Sequence, residues 1–197
     1  MYRAETNVLA LFVADQAVEH PMENVGWHCH ASSRLDRRRF LSLSGATVAG
    51  LALPRVARAA GGTDALLLSC MDYRLTGKTT DYMAARGMAG KYDHVILAGA
   101  SLGAVTPKYP DWGRTFRQHL GVAIELHHIH EVIVLDHRNC GAYKVILGED
   151  YAGDPAAETR IHAEMLHRLR AAIHHAHPKL AVKLGLMALD GTVETIA

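Results

Sequence analysis

The sequence predicts an α/β fold, a mostly parallel sheet flanked by helices, with a C-terminal hairpin. Short apolar runs of strand length alternate with longer segments of helical periodicity, which is typical of parallel strands covered by helices. Asp190 and Gly191 form a two-residue turn signal between the last two apolar segments, which predicts the hairpin. Ligands of such sheets bind at the carboxyl ends of the strands, so polar residues that directly follow an apolar run mark the expected site.

Composition and charge are those of an ordinary globular protein. The 197 residues are 49% hydrophobic and 21% charged, enough for one well-buried domain, predicted over residues 60–197. The formal net charge is +1, and Lys and Arg cluster only near residues 34–39. A surface that binds nucleic acid is therefore not expected.

The basic cluster opens a predicted signal peptide over residues 34–59. Arg37, Arg38 and Arg39 precede an uncharged stretch over residues 42–54, and an A-x-A pattern ends at Ala59, after which we expect cleavage. The paired arginines resemble the twin-arginine signal, which exports folded proteins, so a periplasmic or otherwise exported domain is expected. The apolar core is too short to span a bilayer, and no membrane span is expected in the mature form. An amphipathic surface helix is the alternative.

Residues 1–33 form an extension without a readable pattern and stay unassigned. A signal peptide normally begins near the initiator, which favours Met22 as the start of translation. His28, Cys29 and His30 are metal-ligand residue types. Adjacent residues of an extended chain point in different directions, so we do not expect them to form a site.

The strands of the domain are predicted from its apolar runs. They span residues 65–69, 94–98, 131–135 and 182–189, with residues 192–196 closing the hairpin. The strand over residues 131–135 is expected at the centre of the sheet. A loop of small residues, 99–104, follows the second strand and permits close backbone approach, but it lacks the spacing of a phosphate-binding loop.

The helices are predicted from periodicity and from end signals. They span residues 79–86, 112–126 and 156–175, with a short helical turn over residues 141–144. Three histidines, 127, 128 and 130, follow the second predicted helix. We expect them to be solvated caps near its last carbonyls, and an accessory role in proton relay or metal binding is the alternative. Four more, 162, 167, 174 and 175, are expected to face solvent from the last helix.

Two of the apolar runs end in residues that carry chemistry. Cys70, Asp72 and Arg74 follow the first strand, and His137 and Cys140 follow the central strand. If these strands are neighbours, Cys70, His137 and Cys140 converge. Two thiolates and one imidazole suit Zn²⁺, and three protein ligands with an open fourth position are typical of a catalytic zinc site. In an oxidising compartment, the two cysteines left after signal cleavage would alternatively form a disulfide.

The pattern Cys-x-Asp-x-Arg at Cys70, followed by His-x-x-Cys-Gly at His137, resembles the β-class carbonic anhydrases over residues 65–196. The resemblance implies a zinc-dependent domain with the metal held by Cys70, His137 and Cys140 and with Asp72 and Arg74 as a catalytic dyad. It implies that Asp72 either accepts a hydrogen bond from the zinc-bound water or ligates zinc itself. It also implies a homodimer or homotetramer with the active-site cleft between subunits.

The expected reaction is the reversible hydration of carbon dioxide to bicarbonate. Zinc lowers the pKa of its bound water from 15.7 to about 7 and so supplies a hydroxide that attacks an electrophilic carbon. Two thiolates place more negative charge on zinc than three imidazoles do, so activity should rise towards alkaline pH. Asp72, paired with Arg74, should stay ionised and orient the hydroxide.

Three residues depart from the family pattern: Tyr73 replaces a small residue, and Asp136 and Ala142 replace glycines. The N-terminal helical arm of the family has no visible counterpart, so the substrate pocket cannot be matched. Two alternatives stay open. One is a hydrolase of carbonyl sulfide or carbon disulfide on the same fold, and the other is a non-catalytic, zinc-stabilised binding module with Asp72 as the fourth ligand.

Overall fold

The computed structural model describes residues 63–151 and 153–197. The expectations for the extension over residues 1–33, the signal peptide over residues 34–59 and the triplet at residues 28–30 lie outside these described residues.

The predicted sheet is confirmed, with five strands in the order β2-β1-β3-β4-β5. The strands are β1 (Ala65–Cys70), β2 (Tyr92–Leu97), β3 (Glu131–His137), β4 (Ala181–Met187) and β5 (Val193–Thr195). Strands β1 to β4 are parallel, and β5 pairs antiparallel with β4 to form the C-terminal hairpin. Strand β3 is central, as its continuous apolar run predicts for a strand buried on both faces.

Five helices lie within the described ranges. They are α1 (Thr76–Ala85), α2 (Ser101–Val105), α3 (Pro110–His127), α4 (Gly141–Leu147) and α5 (Pro155–Ala176). The longest two, α3 and α5, match the predicted helices to within two residues at each end. The other three differ more: α1 begins three residues before Thr79, α2 occupies the predicted small-residue loop, and α4 runs past residue 144. Within the described part of the chain, no helix combines the length and apolar character needed to cross a bilayer.

The core lies on both faces of the sheet. On one face, Leu66 and Val132 pack in a large cluster with Phe116 of α3 and Leu169 of α5. On the other face, Leu67, Ile133 and Leu135 pack with Met83 of α1 in a smaller cluster. Burying a leucine side chain contributes roughly 1.5–3 kcal/mol. The apolar strands therefore fix the sheet, and their register sets which polar residues meet beyond its edge.

The strand order brings the two predicted ligand segments side by side. Strand β1 lies between β2 and β3, and Ser69 pairs with Leu135 in the parallel register. The next residues, Cys70 on one strand and Asp136 and His137 on the other, therefore reach the same end of the sheet.

The expectation that all four histidines of α5 face solvent is wrong at one position. His162 is 1% exposed, and its Nδ1 donates to the carboxylate of Asp136. His167, His174 and His175 are exposed as expected. His127 at the end of α3 is half-buried and donates to Asp93, so it is not a purely solvated cap.

Candidate metal centre

The structure brings the three predicted metal ligands together. Cys70 is the last residue of β1, His137 is the last residue of β3, and Cys140 immediately precedes α4. One ligand atom from each residue lies within 4.8 Å of the others. Cys70 is half-buried and the other two are buried, so the cluster is largely shielded from water.

The imidazole of His137 is oriented for metal binding. Its Nδ1 donates to the carbonyl oxygen of Arg138 at 2.8 Å. That hydrogen bond leaves Nε2 as the atom with a free lone pair in the neutral ring. Nε2 is buried and is one of the few buried side-chain polar atoms of the described residues without a hydrogen-bond partner. A buried, unpartnered imidazole nitrogen beside two thiols fits a metal ion.

The two cysteines have the separation that a shared metal requires. Both are free thiols, with their Sγ atoms 3.9 Å apart. Two sulfurs bound to tetrahedral zinc at about 2.3 Å lie about 3.8 Å from each other. The donor set and spacing therefore fit zinc, and the predicted alternative of a disulfide is not formed in this structure.

The thiols are electrostatically unequal. A hydrogen bond from the Cys140 thiol, together with His137 and the backbone N–H of Gly99, lowers the pKa of Cys70 to about 4 against the opposing effect of burial. The same Cys70 sulfur and burial raise the pKa of Cys140 above its ordinary value. For His137, burial disfavours the charged form, but the Cys70 thiolate outweighs it and raises the pKa of the ring. The Cys70 thiolate is thus ready to bind a cation.

Asp72 and Arg74 form a bidentate pair beside the cluster. Asp72 Oδ1 accepts from Arg74 Nε at 2.9 Å and Oδ2 accepts from Nη2 at 2.7 Å, while the backbone N–H of Arg74 adds a third bond at 3.0 Å. These bonds to Arg74 lower the pKa of Asp72 to about 2. Arg74 Nη2 also donates to the carbonyl oxygen of Asn139 at 2.9 Å. Asp72 Oδ2 lies 3.8 Å from His137 Nε2.

A cavity of about 280 Å³ opens onto the cluster. Its polar wall contains Cys70, Asp72 and Cys140, and its apolar wall includes Ala98, Trp112 and Val145. A larger cavity of about 510 Å³ lies among α2, α4 and α5 and is lined by none of the three clustered residues. The cavity of about 280 Å³ is therefore the one that borders two of the clustered side chains together with Asp72, whereas a third cavity, of about 220 Å³, borders Cys140 alone of the three.

A match with a family model assigns the chain to a protein family. Residues 60–184 match the model described as "Putative carbonic anhydrase". The chain belongs to this carbonic anhydrase family. Two relatives, uncharacterized proteins of Rickettsia conorii and Rickettsia bellii, are each 41% identical over 131 residues, which is 66% of this chain and 70% and 80% of theirs.

A search of solved structures matches the chain to carbonic anhydrases. The enzyme of Glaciozyma antarctica is 20% identical, with a TM-score of 0.45 over 70% of this chain and 83% of its own. A β-carbonic anhydrase of Aspergillus fumigatus is 15% identical, with a TM-score of 0.47 over 68% of this chain and 76% of its own.

The sequence did not reveal the residues that surround the cluster of Cys70, His137 and Cys140. Asp136 is buried and hydrogen-bonded to Ser101, Tyr143 and His162, whereas the sequence marks it only as a departure from the family pattern. One signal was available. His162 lies four residues before Leu166 and seven before Leu169, on the buried side of α5. That spacing indicates an inward-facing side chain.

Glu158 was also missed. It is buried, and its carboxylate accepts from the backbone N–H of Asn139 and from Arg138. Asn139 has a left-handed backbone with φ +56, which an asparagine tolerates. Glu158 therefore holds the turn between His137 and Cys140 in place.

Proposed function

We propose that this chain is a zinc-dependent carbonic anhydrase that interconverts carbon dioxide and bicarbonate. The observation that carries the proposal is the buried, unpartnered Nε2 of His137, in a ring that has a nitrogen within 4.8 Å of both thiol sulfurs. The ionised carboxylate of Asp72 lies beside it, 3.8 Å from Nε2. Membership of the family supports the same reaction.

Cys70, His137 and Cys140 would hold the metal. Zinc bound there supplies a hydroxide near neutral pH, because it lowers the pKa of a coordinated water to about 7. Cys70 and His137 end the neighbouring strands β1 and β3, so the sheet fixes these two residues relative to each other, and Cys140 lies in the turn before α4. Rigid elements hold reacting groups more closely than loops do.

Asp72 orients the nucleophile. The pKa of about 2 keeps its carboxylate ionised at every working pH, so the group accepts hydrogen bonds and donates none. A hydroxyl that donates its proton to Asp72 turns a lone pair towards the carbon under attack. Arg74 keeps the carboxylate in place and is itself held by the Asn139 carbonyl.

The apolar wall of the cavity suits the substrate. Ala98, Trp112 and Val145 offer no charged or strongly polar group to a ligand, which favours a small uncharged molecule such as carbon dioxide over an anion.

Stopped-flow hydration of carbon dioxide tests the proposal, with zinc quantified on the same sample. We expect turnover at one zinc per chain, rising from about pH 6.5 to about pH 9. Asp72→Asn should lose turnover, and Asp111→Asn is its matched control. The control also removes a carboxylate paired with an arginine, but Asp111 and its partner Arg114 are both exposed. Full zinc without turnover at any pH would contradict the proposal. Parallel assays with carbonyl sulfide and carbon disulfide then tell a sulfur-substrate hydrolase from a non-catalytic zinc module.

We infer that the active form is a homodimer or homotetramer. Large apolar side chains near the cluster are exposed in the single chain: Met71 is 65% exposed, Tyr73 87% and Ile96 51%. Such exposure beside a site is typical of a surface that a partner covers. Sedimentation of the wild type and of a Tyr73→Ser, Ile96→Ser variant tests this, and a wild type that stays monomeric at micromolar concentration would contradict it.

We also propose export of the domain by its twin-arginine-type segment. Arg37 and Arg38 followed by an uncharged stretch and an A-x-A pattern support this. Cell fractionation of the full chain and of an Arg37→Lys, Arg38→Lys variant tests it. Equal exported fractions for the two would contradict the proposal.

A further inference from the structure

Asp136 places a carboxylate in the interior of the protein directly behind the metal cluster. It is the next-to-last residue of β3, immediately before His137, and is 1% exposed. It is not one of the three clustered ligands. A buried carboxylate is costly unless hydrogen bonds satisfy it, so its surroundings need an explanation.

Four hydrogen bonds from three helices satisfy this carboxylate. Oδ1 accepts from the backbone N–H of Ser101 at 2.9 Å. Oδ2 accepts from Ser101 Oγ at 2.6 Å, from the Tyr143 hydroxyl at 2.6 Å and from His162 Nδ1 at 3.0 Å. Buried polar networks that are fully satisfied are rigid, because no member finds a better partner elsewhere.

Two of the partners stand next to segments that hold the metal ligands. Ser101 follows Gly99 by two residues, and the Gly99 N–H donates to Cys70 Sγ at 3.3 Å. Tyr143 lies one helical turn after Cys140 and donates its N–H to the Cys140 carbonyl at 3.1 Å. Asp136 itself directly precedes His137 in the sequence. One carboxylate thus connects the backbone around all three ligands.

We propose that Asp136 is a positioning residue that holds Cys70, His137 and Cys140 in the arrangement that binds zinc. It does so by fixing the turn at Gly99, the end of β3 and the start of α4 to one another. The inference rests on the proposed zinc site, and it adds to that site a residue that departs from the family pattern. Residues that orient metal ligands typically change metal affinity by 10- to 100-fold when substituted.

Asp136→Asn tests the proposal with little change of shape. The amide oxygen still accepts from the Ser101 N–H, but the amide nitrogen cannot accept from the Tyr143 hydroxyl or from His162. We expect zinc affinity, measured by competition with a chelator, to fall about 10- to 100-fold. We also expect the thiolate-to-metal absorption of the Co²⁺-loaded protein to shift, because the sulfur positions change.

Asp93→Asn is the matched control. Asp93 Oδ2 also accepts from a histidine, His127, at 2.7 Å and is partly buried. It lies near the start of β2, paired with Leu66, far along the strand from Cys70. This variant loses the same kind of bond, but at a distance from the cluster. We therefore expect unchanged zinc affinity and an unchanged cobalt spectrum, even if its stability falls.

Smaller substitutions keep the test decisive if Asp136→Asn does not fold. Tyr143→Phe and Ser101→Ala each remove one hydroxyl donor, and each should weaken zinc binding in the same direction by a smaller factor. Affinities within about twofold of wild type, with an unchanged cobalt spectrum, would overturn the proposal. An equal loss in Asp93→Asn would also overturn it. A wild type that binds zinc without hydrating carbon dioxide would remove the proposed function and leave this comparison intact.

Discussion

The backbone N–H of Gly99 donates a hydrogen bond to the Sγ of Cys70 at 3.3 Å. Gly99 has a left-handed backbone with φ +76, and a Cβ added there would lie 3.3 Å from the Cβ of Ala142. Glycine is therefore the residue that permits this approach without strain. The contact joins the end of β2 to the end of β1 and stabilises the Cys70 thiolate.

Gly99→Ala should destabilise the protein by about 1–3 kcal/mol and weaken zinc binding. The added methyl group strains the positive φ and presses on Ala142, so the N–H moves away from the sulfur. Urea denaturation measures the stability, and the cobalt absorption band measures the change at Cys70.

Gly87→Ala separates the two effects of that substitution. Gly87 has nearly the same φ, +71, but a Cβ there meets no atom within 4 Å. Gly87→Ala should therefore be destabilised by backbone strain alone, and its zinc affinity should equal that of the wild type. Equal zinc affinities in the two variants would show that the Gly99 contact does not support the metal site.

Asp72→Asn should retain zinc and lose turnover by about 100-fold or more. The amide keeps the size of the side chain but presents a donor where the mechanism needs an acceptor, and it pairs poorly with Arg74. Zinc quantification together with stopped-flow rates measures both effects. Lost zinc and a lost fold would instead identify Asp72 as a structural fourth ligand, and retained turnover would contradict its proposed role.

The sequence predicts the main strands and the meeting of the three ligands for a simple physical reason. Apolar runs such as 66–68 and 132–135 are buried on both faces, so their lengths and ends are visible in composition alone. The carboxyl ends of parallel neighbours meet at one edge of the sheet, which brings Cys70 near His137.

Tertiary contacts made by single polar residues are not visible in the same way. The partners of Asp136 come from residues 101, 143 and 162, which no periodicity relates to one another.

The start of α1 differs from expectation for a related reason. Thr79 is a residue type typical of a helix N-cap, but the helix begins at Thr76 and Thr79 is buried inside it. The N-cap residue is Leu75, whose side chain makes no capping hydrogen bond. Burial of Leu75 and Thr79 overrides the local capping signal.

Zinc binding at pH 7 should release between one and two protons. Cys70 has a pKa of about 4 and is already ionised, whereas the raised pKa of Cys140 keeps its thiol protonated until metal arrives. The pKa of His137 is raised by the Cys70 thiolate, so the proton that the ring carries is also displaced when the metal binds. Metal affinity should therefore rise with pH, because protons compete for the same atoms.

Calorimetric titration in buffers of different ionisation enthalpy measures the proton count. Cys140→Ser serves as the comparison: its hydroxyl binds zinc weakly and gives up no thiol proton. A wild-type release close to zero would mean that the thiols are not the ligands.

The rise of activity with pH should not depend on the titration of Asp72. Arg74 lowers the pKa of Asp72 from 3.8 to about 2, so the carboxylate is fully ionised well below neutral pH and its charge is constant over the assay range. The alkaline rise must then follow another group, and zinc held by Cys70, His137 and Cys140 would supply one by lowering the pKa of a coordinated water. We expect Asp72→Asn to lower the rate at every pH while the midpoint of the rise moves by less than about half a unit. Stopped-flow profiles of both proteins measure this, and a midpoint that disappears in the variant would assign the rise to Asp72 and contradict the pairing with Arg74.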